Sequence, residues 1–226
     1  EEIDCTFDVS GGETALAEAI DRIQREAEDA VRGGCTHVVL SDKAICSTRA
    51  AIPMILATGA VHSYLVRQQL RTFTSINVQT GECLDTHYFC VLIGVGATTV
   101  NAYLAQEAIA DRHARGLFGD KSLDACVGAY RKAIQDGILK VMSKMGISVL
   151  SSYRGGYNFE SVGLSRSLVA RFFPGMSSRI SGLGLPGIQK KALEQHRKAF
   201  DETVVTLPVG GLYRFRRQGE RHAFDG

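Results

Sequence analysis

The sequence lacks several features that would point directly to a function. None of its six cysteines form a C-x-x-C pair, and its net charge is only +2, which gives no reason to expect nucleic acid or an anionic membrane as the main partner. Its longest apolar runs, such as residues 88–97, are too short to span a bilayer. These absences favour a soluble protein that acts neither on nucleic acid nor in a membrane.

The composition is that of an ordinary globular protein. The chain has 226 residues, of which 45% are hydrophobic and 22% charged, enough for one sizeable core. A chain of this size does not need disulfides, so we expect reduced core thiols and a cytoplasmic location. Because Glu1 is not an initiator Met and a strand begins almost at once, we expect a piece of a longer polypeptide.

The first forty residues predict a βαβ unit. Residues 3–7 alternate as a strand, residues 14–32 place apolar side chains on one helical face, and residues 36–40 form a buried strand. Such a unit implies a parallel sheet with a right-handed crossover. The predicted fold class is α/β, a mainly parallel open sheet flanked by helices, with a partial or distorted β/α barrel as a variant.

The same reasoning assigns the rest of the chain. We predict strands at 74–78, 100–104 and 147–152, and helices at 55–71, 106–115, 123–145 and 187–200. The stretch 137–165 is read as a helix end, a strand, a glycine-rich turn and a new helix capped by Ser165. Residues 174–187 are predicted to be a loop. Extended structure is expected at 204–207, and alternation with a basic character at 212–217.

Three places resemble ligand sites. Ser41, Asp42 and Lys43 follow a parallel strand, where such sheets place ligand-binding loops, although a capped, solvated turn is the favoured interpretation. Residues 94–99 resemble a phosphate cradle, but the turn follows a helix, so helix termination is preferred. His62 is expected to pack or to hydrogen-bond.

Cys83, His87 and Cys90 share one stripe if residues 83–90 are helical. A fourth ligand is missing nearby, so a core-facing helix is favoured over a zinc site.

Five stretches together resemble the large subunit of glutamate synthase, the amidotransferase that converts glutamine and 2-oxoglutarate into two glutamates. They cover most of the chain in the family's order, and they resemble the bacterial, NADPH-dependent type. The stretches are LSDKA (40–44), IPMILATGAVHSYLVRQQLRT (52–72), THYFCVLIGVGATTVNAYLA (86–105), GILKVMSKMGISVLSSYRGGYNFESVGLS (137–165) and GLYRFRRQGERHAFDG (211–226).

That family carries an N-terminal glutaminase domain, a central domain, a synthase domain with FMN and a 3Fe–4S cluster, and a β-helix. The resemblance places residues 1–210 in the later part of the central domain and residues 211–226 at the start of the connection to the FMN synthase domain. The partners it implies are these flanking domains and a small subunit. FMN, the 3Fe–4S cluster and NADPH-derived electrons are implied for the full-length enzyme only.

No catalytic, cofactor-binding or metal residue is carried over to this chain. The family's N-terminal cysteine nucleophile and its three-cysteine cluster have no counterpart, since Cys5 follows four other residues and lies inside a predicted strand. The expected role is a linking domain, inactive alone, that helps to wall the ammonia route, which must be packed and largely dry. The residues expected to face other domains or the tunnel are Ser41, Asp42, Lys43, Tyr153, Arg154 and Asn158. If upstream strands are missing, an exposed face would allow a homodimer.

Two alternatives stay open. A parallel α/β pattern with glycine-rich turns permits a free-standing flavin- or phosphate-binding enzyme, although about five strands are too few for eight βα units. A cysteine hydrolase would use Cys5 or Cys46 with a distant histidine, and would need an exposed thiol with a lowered pKa.

Overall fold

The computed structural model describes residues 1–203, which form the predicted α/β fold. Its strands are β1 (Glu2–Asp4), β2 (Thr6–Asp8), β3 (His37–Ser41), β4 (Arg49–Ala51), β5 (Ser75–Gln79), β6 (Thr99–Asn101), β7 (Glu160–Leu164) and β8 (Ser177–Leu183). Its helices are α1 (Ala15–Arg32), α2 (Met54–Arg67), α3 (Thr86–Gly94), α4 (Tyr103–Ala114), α5 (Leu123–Lys144), α6 (Leu150–Tyr153), α7 (Arg166–Phe172) and α8 (Leu185–Ala199). The extended structure predicted after residue 203 lies outside the described residues.

The main sheet is parallel and adds its strands in chain order, β1-β3-β5-β6. It does not close into a barrel within residues 1–203. Because the strands are added in one direction, right-handed crossovers place the connecting helices α1, α2 and α3 on the same face of the sheet. Val38, Leu40, Ile76 and Val78 are buried, and they belong to the core that includes α1 and α2. The predicted βαβ unit is confirmed as β1-α1-β3.

The alternate side chains of the main sheet are polar, Val39 excepted, and several of them hydrogen-bond to one another within or between strands. His37 Nδ1 lies 2.6 Å from Ser75 Oγ, Asn77 donates to the same Ser75 hydroxyl, and Thr99 donates to Asn77 Oδ1 at 2.6 Å. The sheet therefore has one apolar face and one hydrogen-bonded polar face.

The first predicted strand is in fact two strands. Cys5 donates its N–H to Ser41 O beside the main sheet, and its carbonyl accepts from Ile52 beside the β2–β4 pair. Asp4 Oδ1 accepts from both the backbone and the hydroxyl of Thr6 at this point. The chain therefore changes partners at Cys5, which alternation alone does not reveal.

The strand predicted at residues 147–152 is wrong, because this segment leads into the helical turn α6. Helix α5 ends within one residue of the end predicted at residue 145, just before Gly146 at φ +71°. Tyr153 is then fully buried with Ile93 and Met142, and its hydroxyl donates to Cys90 O at 3.2 Å. Burial of Tyr153 thus determines the conformation of this segment, in which Val149 and Leu150 stay exposed.

The loop predicted at residues 174–187 is also wrong, because it contains β8, which pairs with β7 in parallel. The glycines of this segment indicated a loop, but they serve strand pairing instead. A Cβ on Gly182 would lie 2.1 Å from Gly163 O, so glycine permits this close and irregular pairing. The turn at 155–156 consequently feeds β7 before the next helix. The Ser165 cap on α7 is confirmed, since its hydroxyl accepts from Leu168 N at 3.2 Å.

The remaining helices follow their periodic patterns, with three corrections. Helix α4 begins at Tyr103, inside the strand predicted at 100–104, so β6 ends at Asn101. Helix α2 ends at Arg67, before Gln69 at φ +60°, so Arg71 lies in a separate 3₁₀ turn. Helix α3 begins at Thr86, so Cys83 precedes it and the predicted Cys–His–Cys stripe does not form. Among the helices of residues 1–203, none is both long and apolar enough to cross a membrane.

Two glycines lie inside α5, and only one of them is needed for a close approach. A Cβ on Gly137 would lie 2.5 Å from Thr86 Cγ2, where α5 packs on α3. A Cβ on Gly128 would have no neighbour within 4 Å.

The two glycines should therefore respond in opposite ways to alanine. Gly128→Ala should raise the free energy of unfolding by about 1 kcal/mol through helix propensity. Gly137→Ala should lower it, because the stiff, β-branched Thr86 cannot easily move away. Urea unfolding of the two variants measures both, and changes of the same sign would contradict this packing.

Candidate functional site

The Asp42 carboxylate lies at the carboxyl end of the main sheet and is fully buried. It accepts from Thr80 Oγ1 at 2.6 Å, from Gly81 N at 3.0 Å and from Tyr103 OH at 2.9 Å. These donors follow β5 and β6, whereas Asp42 follows β3. One carboxylate therefore joins the ends of three consecutive strands, and the expectation of a solvated turn is wrong for this side chain.

The residues beside Asp42 extend this cluster. Ser41 is buried and its hydroxyl donates to Gln79 Oε1 at 3.2 Å. Lys43 is exposed and its ammonium lies 5.0 Å from the centre of the Tyr103 ring, within the range of a cation–π contact. The polar grouping predicted at 41–43 exists, but its carboxylate is already occupied by protein donors.

Glu82 forms a second carboxylate contact near this end of the sheet, which sequence reasoning missed. Its Oε2 accepts from Met54 N at 2.9 Å, at the start of α2, and from the hydroxyl of Tyr88. Burial raises the pKa of Glu82, and burial together with the Glu82 charge raises the pKa of Tyr88. The pair anchors α2 to α3. The signal was available in the sequence, because residues 80–82 follow a strand as Asp42 does.

The second predicted stretch, residues 153–158, caps the end of α3. Gly155 N donates to Ile93 O and Tyr157 N donates to Gly94 O, both at 3.1 Å. Helix ends leave such carbonyls without partners, so this loop satisfies them. Arg154 and Asn158 are exposed, whereas Tyr153 is buried.

Arg71 lies beside this loop and hydrogen-bonds to the segments that lead into β5 and β6. Its guanidinium donates to His62 Nδ1 at 2.9 Å, Thr74 O at 2.6 Å, Gly96 O at 2.9 Å and Thr98 Oγ1 at 3.3 Å. The 153–158 loop is therefore at the amino end of the sheet, opposite Asp42. The structure does not bring the two predicted stretches together into one site.

The turn at residues 94–99 terminates α3, as preferred. The amides of Gly96, Ala97 and Thr98 donate to Ile93 O, Leu92 O and Ile76 O. A Cβ on Gly96, which has φ +122°, would lie 2.3 Å from His62 Cγ. These amides are engaged within the protein and do not cradle a phosphate.

The cysteines do not supply a nucleophile paired with a base. Cys5 is buried, which raises the pKa of its thiol. Cys46 is exposed, and the hydrogen bond with the Thr48 hydroxyl lowers its pKa, but His196 Nε2 lies 2.8 Å from the Cys46 carbonyl oxygen. All six thiols are free. Residues 1–203 contain no group of three or more side chains able to hold a metal, so these thiols do not fit an iron–sulfur cluster.

His62 makes the stability of the chain depend on pH. Burial and the charges of Arg71 and Arg154 lower its pKa from 6.5 to about 4. Between these two pH values the histidine is protonated in the unfolded chain and neutral in the folded chain. The free energy of unfolding should thus fall as pH drops from 6.5 towards 4, by on the order of 3 kcal/mol. Denaturant unfolding of His62→Gln should show a weaker pH dependence, and the exposed-site control His87→Gln should retain it. An unchanged slope in His62→Gln would contradict this assignment.

Comparisons with known proteins agree with the resemblance. A family model described as the glutamate synthase central domain matches residues 1–165. The chain is 68% identical over 225 residues to the glutamate synthase (NADPH) large chain of Azospirillum brasilense, covering 100% of this chain and 15% of that protein. It is 41% identical over 201 residues to the large chain of Bacillus subtilis, covering 88% of this chain and 13% of that protein.

The similarity extends to a relative whose name gives ferredoxin as the electron donor. The chain is 38% identical over 229 residues to the chloroplastic ferredoxin-dependent glutamate synthase of Spinacia oleracea, covering 96% of this chain and 14% of that protein. The chain thus spans about 15% or less of the length of these relatives. Since the family model matches well over half of the chain, the chain belongs to the glutamate synthase central domain family.

Proposed function

We propose that the chain is the later part of the central domain of a glutamate synthase large chain, which links the glutaminase and FMN synthase sites and helps to wall the ammonia route. The match to the central domain over residues 1–165 supports this proposal, together with the small share of each relative that the chain covers. In this proposal residues 1–210 belong to the central domain and residues 211–226 begin the connection to the FMN synthase domain.

The whole protein would convert glutamine and 2-oxoglutarate into two glutamates. The names of the relatives in Azospirillum and Bacillus favour NADPH as the source of electrons. The 3Fe–4S cluster would be held by other parts of the polypeptide, because the thiols among residues 1–203 do not converge, and the resemblance assigns FMN to the synthase domain. The flanking domains are the proposed partners, and a small subunit, a homodimer of the fragment and a cytoplasmic location remain predictions.

The hydrogen bonds of the buried Asp42 carboxylate are the observation that best supports a role in walling the ammonia route. A route for ammonia must exclude water, and its lining must not offer free charges that would hold an ammonium ion. At the carboxyl end of this sheet the buried carboxylate already has three donors from its own domain. This end therefore offers a rigid surface, and we propose the tunnel-facing contact of the domain at the loop of residues 41–43, where Lys43 is exposed and the buried Ser41 and Asp42 side chains hold the backbone behind it.

Asp42→Asn should uncouple the two reactions in the full-length enzyme. The amide oxygen can still accept from Thr80 and Gly81, but the negative charge is lost and the NH₂ group would have to donate to the Tyr103 hydroxyl, so the contacts that hold the three strand ends together should weaken. We expect glutamine hydrolysis to continue while glutamate formed per glutamine falls and free ammonia appears. Assays of glutamine, glutamate and ammonia in one reaction measure this.

Asn158→Ala is the matched variant for the opposite end of the sheet, where the side chain is exposed. It should leave the ratio of glutamate to glutamine unchanged. If only Asn158→Ala uncouples glutamine hydrolysis from glutamate formation, the 153–158 loop, and not the 41–43 loop, faces the ammonia route. Full coupling in both variants would contradict a wall at either predicted stretch.

The purified 226-residue chain should be colourless and should not hydrolyse glutamine. The reason is that its thiols other than Cys46, which is exposed, are buried or hydrogen-bonded, and that the carboxylates of Asp42 and Glu82 at the carboxyl end of the sheet are engaged by protein donors. An absorbance spectrum and a glutaminase assay test this. Flavin at one equivalent per chain would favour the free-standing flavin enzyme, and glutaminase activity lost on alkylation of Cys46 would favour the hydrolase.

A further inference from the structure

Three arginines meet at the amino end of the main sheet without an acidic partner. Arg67, Arg71 and Arg154 form no ion pair with any carboxylate among residues 1–203. The Arg71 guanidinium is partly buried and donates only to neutral acceptors. A buried charge without a counter-ion is costly, so this arrangement calls for an explanation.

The electrostatics of the cluster agree with its geometry. Burial and the neighbouring charge of Arg154 lower the pKa of Arg71 to about 10. His62 accepts from Arg71, and its own lowered pKa keeps it neutral near pH 7, so it does not add a further charge. The cluster is therefore cationic, and its neutral hydrogen-bond acceptors do not replace an anionic partner, which it lacks among residues 1–203.

Tyr157 adds an unused donor to the same place. Its hydroxyl is buried and has no hydrogen-bond partner, although buried tyrosine hydroxyls normally find one. Its ring centre lies 6.0 Å from that of His62 and 6.5 Å from that of Phe173. Arg67 reaches the same neighbourhood, since it donates to the carbonyl of Arg171, two residues before Phe173.

We propose that this cluster, made of Arg67, Arg71, Arg154 and Tyr157, binds an oxyanion, a carboxylate or a phosphate. Arg154 and Arg67 are exposed and form its mouth, with Arg71 behind them and the Tyr157 hydroxyl as an additional donor. Guanidinium groups suit such anions because their N–H groups match the spacing of two oxygens. The oxyanion is either a free molecule or an Asp or Glu side chain from another part of the full-length polypeptide, and both use the same chemistry.

The test uses the full-length polypeptide and inorganic phosphate. Calorimetric titration at constant ionic strength should give a saturable component that weakens by about tenfold or more in Arg154→Gln, as expected for loss of a charged hydrogen bond. Tyr157→Phe should weaken it as well. The control is Arg131→Gln, which removes the same charge from an exposed position on α5 and should leave phosphate binding unchanged.

The thermal midpoint separates the two sources of the anion. If a carboxylate of the same polypeptide fills the cluster, no phosphate component will depend on Arg154, but Arg154→Gln will lower the midpoint relative to Arg131→Gln. An empty cluster gives the opposite sign, because loss of Arg154 relieves its repulsion of Arg71. Unchanged phosphate binding together with an unchanged or raised midpoint in Arg154→Gln would overturn the proposal. This test measures phosphate binding and the thermal midpoint, and it does not measure the ratio of glutamate formed to glutamine used. Its result therefore does not depend on whether the domain forms a wall of the ammonia route.

Discussion

The burial of the Asp42 carboxylate is the constraint on which the main sheet depends. A carboxylate removed from water is strongly destabilising unless donors replace its hydration, and here they come from the loops that follow two other strands. Their positions are fixed by this requirement. The loops that follow β3, β5 and β6 are therefore one polar unit, held together by a side chain that solvent does not reach.

The amino end of the same strands is organised by a charge of opposite sign. Arg71 donates to Thr74 O, just before β5, and to Gly96 O and Thr98 Oγ1, just before β6. Both ends of β5 and β6 are thus held by buried or partly buried ionisable side chains. The helices stabilise the sheet from one face, while the polar face keeps its own hydrogen bonds.

Sequence reasoning predicted what periodicity controls. The amphipathic stripes of α1 and α5 and the buried apolar character of β3 led to nearly correct bounds for these elements. It failed where a single contact decides: Tyr153 pulls its segment into α6, and the close approach of Gly163 and Gly182 permits β8 where glycines indicate a loop. For the site, the strand-end rule identified Asp42 but not its partners. The role of Arg71 was missed because the helical pattern of α2 extends to this residue in the sequence. In the structure α2 ends at Arg67, and Gln69 with its positive φ separates Arg71 from the helix.

The two ends differ in how fully their charges are compensated, and this difference bears on their roles. At the carboxyl end the buried carboxylate has donors from its own domain, so this surface is complete without a partner. At the amino end three guanidinium groups and a buried phenol hydroxyl lack an anion within residues 1–203. A complete polar end suits a rigid boundary, since nothing must bind for it to keep its shape. An uncompensated end suits a contact, because the free energy of pairing its charges is gained only when an anion arrives.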